Sequence, residues 1–132
     1  MRKTSRAIVI KNNKILLIER YNKGVHYFVL PGGHVEEGES SEATVLREVL
    51  EETSIKVEPL SMIRSEIDGL GNEQYIYLCR FVSGEPMLPL NCPEAKKAAT
   101  SNDKWMPAWF DLNDLRDQVV YPKDLAKIVA SV

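Results

Sequence analysis

The chain has 132 residues, 44% hydrophobic and 27% charged, which is the balance of a globular protein long enough to bury one real core. A formal net charge of −2 excludes the basic field that would recruit a nucleic-acid polymer. Two cysteines, Cys79 and Cys92, exclude a disulfide framework and a zinc-ligand spacing, and the apolar runs are too short for a membrane span or a secretory signal. Reduced thiols in a cytoplasmic protein are therefore expected. With no repeat or linker in view, residues 1–132 are expected to form a single domain.

Arg6 to Lys11 and Lys14 to Arg20 read as two strands around Asn12-Asn13, since asparagine tolerates positive φ and suits a tight hairpin. Their apolar runs, Ala7–Ile10 and Ile15–Ile18, do not alternate, as in strands covered on both faces. Tyr21 to His26 reads as a polar loop. Tyr27 to Leu30 reads as a short strand ended by Pro31-Gly32-Gly33, where the glycines suggest a loop that comes close to a ligand. Gly38-Glu39 marks a turn. Ser40 is a candidate N-cap, with Glu42 in the first helical turn.

Beyond the helix, Ile55 to Ile67 reads as a strand whose start is made irregular by Pro59. Asp68 to Asn72 is a turn, and Gln74 to Val82 alternates as the second arm of a longer hairpin. Ser83 to Lys104, with Gly84, Pro86, Pro89 and Pro93, shows no period and reads as a long connection of the kind used for lids and binding loops. Trp105 to Leu112 reads as a last strand, placed at an edge by Pro107. Asn113 to Asp117 starts a short helix. Tyr121-Pro122 opens a terminal helix with proline in its first turn and Leu125, Ile128, Val129 and Val132 toward the core. Strands of both kinds plus a helix with an apolar stripe give an α/β sandwich.

The stretch through Thr53 carries the chemistry. At 3.6 residues per turn, Ala43, Val45, Leu46, Val49 and Leu50 fall on one side, and Arg47, Glu48, Glu51 and Glu52 on the other. Glu48 and Glu52 are spaced i, i+4, and Glu48 and Glu51 i, i+3, so each pair of like charges costs about 0.2–0.5 kcal/mol. Glu51 and Glu52 also sit in the last turn, where the helix dipole favours cations. Two readings stand side by side. One is a solvated face partly neutralised by Arg47; the other is a site whose repulsion a hard divalent cation relieves.

Gly33, five residues, Glu39, seven residues and then Arg47-Glu48-Val49-x-Glu51-Glu52 resembles the signature of the Nudix hydrolases, G-x5-E-x7-R-E-U-x-E-E-x-G-U, where U is a bulky aliphatic residue. Val49 and Ile55 occupy the U positions. Ser54 stands where the family has glycine, which puts the helix exit in question and leaves the carboxylates intact. The resemblance implies an α/β/α sandwich with a mixed central sheet. It implies a hydrolase that cleaves a diphosphate bond in a nucleoside diphosphate linked to another moiety. It also implies Mg²⁺ or Mn²⁺ held by Glu48 and Glu52, with Glu51 as a further ligand and the Gly32 carbonyl completing the set. Glu51 is the expected acceptor of the water proton, with Glu94 on the downstream connection as the alternative base, additional metal carboxylate or solvated acid. Arg47 is expected to orient the carboxylates through Glu39. Gly33 and Tyr27 are expected next to substrate.

Other residues keep plainer readings. His26 and His34 read as surface histidines, His34 near enough to the glycines to touch phosphate. Tyr27, Phe28, Tyr75, Trp105 and Trp109 read either as core aromatics or as surfaces for a nucleobase, Tyr27 being the best placed. Cys79 reads as packing. A silent nucleotide-binding regulatory module on the same fold, a protein-interaction domain with an acidic helix, and an isoprenoid-diphosphate isomerase remain as alternatives. Neither the substrate nor the oligomeric state, a homodimer included, is legible in the sequence.

Overall fold

A computed structural model describes residues 2–87 and 104–132. Glu94 and Cys92 lie outside the described residues. Strand β1 (Lys3–Lys11) turns at Asn12 and Asn13, with φ 52° and 63°, into β2 (Lys14–Asn22). Two consecutive positive-φ residues are what a two-residue hairpin needs, and asparagine supplies them. β3 (Val25–Val29) follows, then β4 (Gly32–His34), helix α1 (Ser41–Thr53), β5 (Lys56–Ile67), β6 (Glu73–Ser83) and β7 (Lys104–Asp111). A 3₁₀ helix (Leu112–Asp117), β8 (Val120–Tyr121) and α2 (Leu125–Ala130) complete the described chain.

The sheet runs β5-β6-β1-β2-β3-β8, with β4 paired to β1 and β7 to β2. β1–β6 and β3–β8 are parallel and the other pairs antiparallel, so the sheet is mixed, as expected. β7 pairs with β2 at Ile18–Pro107 and carries its proline on an outer strand. Consecutive residues of β1 and β2 serve opposite faces. Ala7, Val9 and Leu16 pack with Val45 and Val49 of α1, while Ile8, Ile15 and Leu17 pack with Leu115, Leu125 and Ile128. That double cover is why the runs are continuously apolar, and it makes the α/β/α layering.

Several local expectations change. Tyr21 to His26 is not a loop. β2 continues to Asn22 and turns at Lys23 and Gly24, both at positive φ, straight into β3. The glycine pair is not a loop either but a three-residue strand, in register Arg6–Gly32 and Ser5–Gly33. A side chain at Gly32 would place Cβ 2.1 Å from the Ser5 carbonyl oxygen, so the pairing itself demands glycine. The buried stripe of α1 is rotated from the apolar wheel: Thr44, Val45, Val49, Glu52 and Thr53 are buried, while Leu46 and Leu50 are 41% and 43% exposed. The C-terminal helix begins at Leu125, with Pro122 in the preceding turn and Val132 exposed.

Ser40 caps α1, accepting from the Ala43 amide at 3.1 Å. At the other end Ser54 is left-handed, φ 65°, and its amide closes onto the Leu50 carbonyl at 2.9 Å. Its hydroxyl donates to the Met87 carbonyl at 2.6 Å. The left-handed conformation costs roughly 1 kcal/mol without glycine, and one hydrogen bond returns about as much. Ser54→Gly is therefore expected to leave urea-denaturation stability within about 0.5 kcal/mol of wild type, whereas Ser54→Ala, which keeps the strain and loses the bond, is expected to lose about 1 kcal/mol.

Candidate active site

Three successive residues of β4 meet the polar side of α1. The Gly32 amide donates to Glu52 Oε1 at 3.0 Å. Gly33 lies so close to Glu48 that an added Cβ would stand 2.4 Å from the carboxyl carbon. The His34 carbonyl accepts from the Arg47 guanidinium at 3.1 Å. Glu52, Glu48 and Arg47 of the helix thus meet Gly32, Gly33 and His34 of the strand in matching order. Glu52 is only 3% exposed, which is rare for a carboxylate and requires compensation.

Part of that compensation comes from Arg6 on β1, which donates to the Leu30 carbonyl at 3.0 Å. Burial lowers the Arg6 pKa, and the nearby Glu52 and Glu48 charges push it back up. Arg47 organises the other side. Its Nε and one terminal nitrogen grip both oxygens of Glu39, at 2.8 and 3.1 Å. Its remaining nitrogen reaches Glu48 Oε1 at 2.9 Å and Glu51 Oε2 at 3.4 Å. The Arg47 bonds and a 2.6 Å bond from Thr44 hold the Glu39 carboxyl down at about 2. The same pairing with Glu39 raises Arg47.

A cleft of ≈ 540 Å³ opens beside these groups, with Glu48, Glu52, Gly32, Gly33, Arg6 and His34 in its wall. Tyr27, Arg20 and Trp105 line the same cleft. A second groove of ≈ 630 Å³ shares His34 and Glu36 with it and adds Arg2 and Lys3. The structure thus gathers Glu48, Glu52, Gly32, Gly33 and Tyr27 around one cleft. Glu51 lies outside its lining, with a half-exposed side chain against Arg47. Phe28 is core, and Tyr75 and Trp109 pack against the cluster under α1. His26 pairs with Glu19 at 2.7 Å. Burial pushes the Cys79 thiol up to about 12, so it is inert packing at neutral pH.

No motif singles out Arg6 or Arg20, and Trp105 reads either as core or as ligand surface. The available signal was position: each arginine interrupts the end of an otherwise apolar strand run, at Arg6-Ala7 and Ile18-Glu19-Arg20. The carboxylates flanking Gly32 present oxygen donors, the chemistry of Mg²⁺ or Mn²⁺ rather than of a thiolate metal. Gly33 keeps the space against Glu48 free of a side chain. Among the described residues no three His, Cys, Asp or Glu side chains already form a cage, so a cation would rest on two carboxylates, backbone oxygen, water and substrate.

The model of the NUDIX domain matches residues 1–131. The chain belongs to the NUDIX family. It is 26% identical over 115 residues to a putative nudix hydrolase 1 of Caenorhabditis elegans, covering 83% of this chain and 29% of that protein. It is 50% identical over 66 residues to an ADP-ribose pyrophosphatase of Methanocaldococcus jannaschii, covering 46% of this chain and 38% of that protein. The chain therefore spans well under half the length of these curated relatives. Among solved structures, a NUDIX hydrolase from Nitrosomonas europaea superposes with TM-score 0.73 at 22% identity, covering 98% of this chain and 86% of that one. An ADP-ribose pyrophosphatase from Streptococcus suis superposes with TM-score 0.70 at 23% identity, covering 98% and 91%. These likenesses establish the NUDIX fold, a mixed curled sheet with helices. No helix among the described residues is long and apolar enough to cross a membrane.

The two glycines predict different defects. Gly32→Ala meets backbone and is expected to lose about 3 kcal/mol or more of stability. Gly33→Ala meets only the tip of Glu48, so its melting temperature should stay near wild type while divalent-cation affinity falls roughly tenfold or more. Glu39 sets a pH dependence. Its folded pKa, about 2, lies below the ordinary 4.5, so its contribution is complete above pH 4.5 and lost as pH falls toward 2. Urea denaturation of wild type and Glu39→Gln should differ most above pH 4.5 and converge near pH 2.

Proposed function

We propose that this chain is a metal-dependent hydrolase that cleaves the diphosphate bond of a nucleoside diphosphate linked to another moiety. The single observation that carries this reading is the buried Glu52 carboxylate, fixed by the Gly32 amide beside Glu48 in the wall of an open cleft. A helix that packed only for stability would not bury that charge. Family membership supports the same reading, because NUDIX proteins generally use divalent metals. The name of the Methanocaldococcus jannaschii relative, an ADP-ribose pyrophosphatase, supports a nucleoside diphosphate derivative as the substrate.

In this reading Glu48, Glu52 and the Gly32 carbonyl would hold Mg²⁺ or Mn²⁺, with Glu51 joining directly or through water. Bound there, such a cation would offset phosphate charge and lower the pKa of an attacking water. Glu51, half exposed and in contact with Arg47 at 3.4 Å, would take that water's proton. Water oxygen bonds to one phosphorus, the bridging P–O bond breaks, and its electron pair leaves on the departing phosphate. Arg47 keeps Glu48 and Glu39 in place through its forked contacts. Gly33 and Tyr27 border the substrate, and Glu94 is the alternative base. The working location is the cytoplasm. A silent sensor needs none of this acid–amide pairing, so it is the weaker reading.

The test is a panel of nucleoside diphosphate derivatives incubated with Mg²⁺ or Mn²⁺ and resolved by chromatography. Wild type is expected to release a monophosphate, and EDTA to stop it. Glu52→Gln keeps an oxygen for the Gly32 amide, so it should fold while turnover drops by at least about a hundredfold. Wild-type turnover in that variant overturns the assignment.

A further inference from the structure

We propose that Arg20 is an anion-binding residue of the cleft, positioned by Trp105 and Tyr27 so that its guanidinium takes a phosphate of the substrate. The proposal deepens the hydrolase reading and rests on it. Strand register builds the arrangement. Arg20 on β2 stands opposite Tyr27 on β3 and opposite Trp105 on β7, so three side chains form one row across three strands. Two pairs further along, on the same face, Leu16 stands opposite Trp109 under the cover of α1. The Arg20 row is thus the continuation of the helix-covered face past the point where it opens into the cleft.

The Arg20 guanidinium lies 4.1 Å from the centre of the Trp105 ring and 5.8 Å from that of Tyr27. Its neighbour Glu19 is turned to His26. Among the described residues Arg20 makes no ion pair, and its Nε is buried without a hydrogen-bond partner. The other cleft arginine, Arg6, is already bonded to the Leu30 carbonyl and faces the charges of Glu52 and Glu48. A diphosphate substrate brings more negative charge than a cation at Glu48 and Glu52 neutralises. Arg20 is the cleft guanidinium left to meet the rest, with a fork suited to two phosphate oxygens. Arg20 lies over one face of Trp105, which makes Trp105 a positioning residue for the guanidinium.

The experiment is calorimetric titration of inorganic pyrophosphate with Mg²⁺ into wild type, Arg20→Gln, Arg20→Lys, Trp105→Phe and Trp105→Leu, with melting temperatures of each. Arg20→Gln is expected to weaken binding roughly tenfold to a hundredfold, and Arg20→Lys to recover part of it. Trp105→Phe, which keeps an aromatic face, should bind more tightly than Trp105→Leu. With any substrate found by the panel, Arg20→Gln should raise KM more than it lowers kcat. Equal pyrophosphate affinity in wild type and Arg20→Gln overturns the proposal, as does an equal loss in the Gln and Lys variants with lowered melting temperatures. Pyrophosphate binding needs no turnover, so failure of the hydrolase reading shows separately, as a wild type that cleaves nothing in the panel.

Discussion

The close approach of β4 to α1 is the constraint on which the site depends. The strand contributes only backbone along this contact: an amide at Gly32, bare space at Gly33, a carbonyl at His34. The helix contributes Glu52, Glu48 and Arg47 in matching order. Because Gly32 is pressed against Ser5 of β1 and Gly33 against Glu48, neither position has room for a side chain. The sheet thereby carries the helix's acidic face inward, where a carboxylate would ordinarily be excluded.

That contact also explains why α1 sits rotated from its most apolar orientation. Packing by hydrophobicity alone would bury Leu46 and Leu50. The helix instead buries Val45, Val49 and Glu52 and leaves both leucines over 40% exposed. Burial of apolar surface stabilises by roughly 25 cal/mol per Å², so the rotation has a cost that the capped, charge-paired side must offset. Arg47 bridging Glu39, Glu48 and Glu51, and Arg6 facing Glu52, supply the opposing charges. The arrangement trades some stability for a polar face with a defined position, which is how functional sites commonly differ from cores.

Much of this was legible in the sequence because it rests on local rules. Asn12-Asn13 announced the first hairpin, Ser40 the helix start, and the runs Ala7–Ile10 and Ile15–Ile18 a sheet covered on both sides. The Arg47–Glu39 pairing was foreseeable from an eight-residue span across a turn. What failed to show was long-range. β4 reads as a loop because two glycines have no strand propensity, and only its pairing with β1 makes it a strand. The Tyr21–His26 segment reads as polar loop because its strands end outside the core. Arg20 and Trp105 meet at the cleft through the register of β2 and β7, and Arg6 through the pairing of β1 with β4, which no single stretch encodes. The helix rotation belongs to the same class, since a wheel knows nothing of the strand beside it.

The proposed divalent-cation site consists of Glu48 and Glu52, pinned by β4. Its most direct test is a Mn²⁺ titration followed by electron paramagnetic resonance, on wild type and Glu48→Gln, in the absence of nucleotide. Wild type is expected to quench the free-ion signal, and the variant, folded to the same melting temperature, to bind at least about tenfold more weakly. Equal Mn²⁺ affinity in the two proteins, or no binding by wild type, contradicts the proposed site.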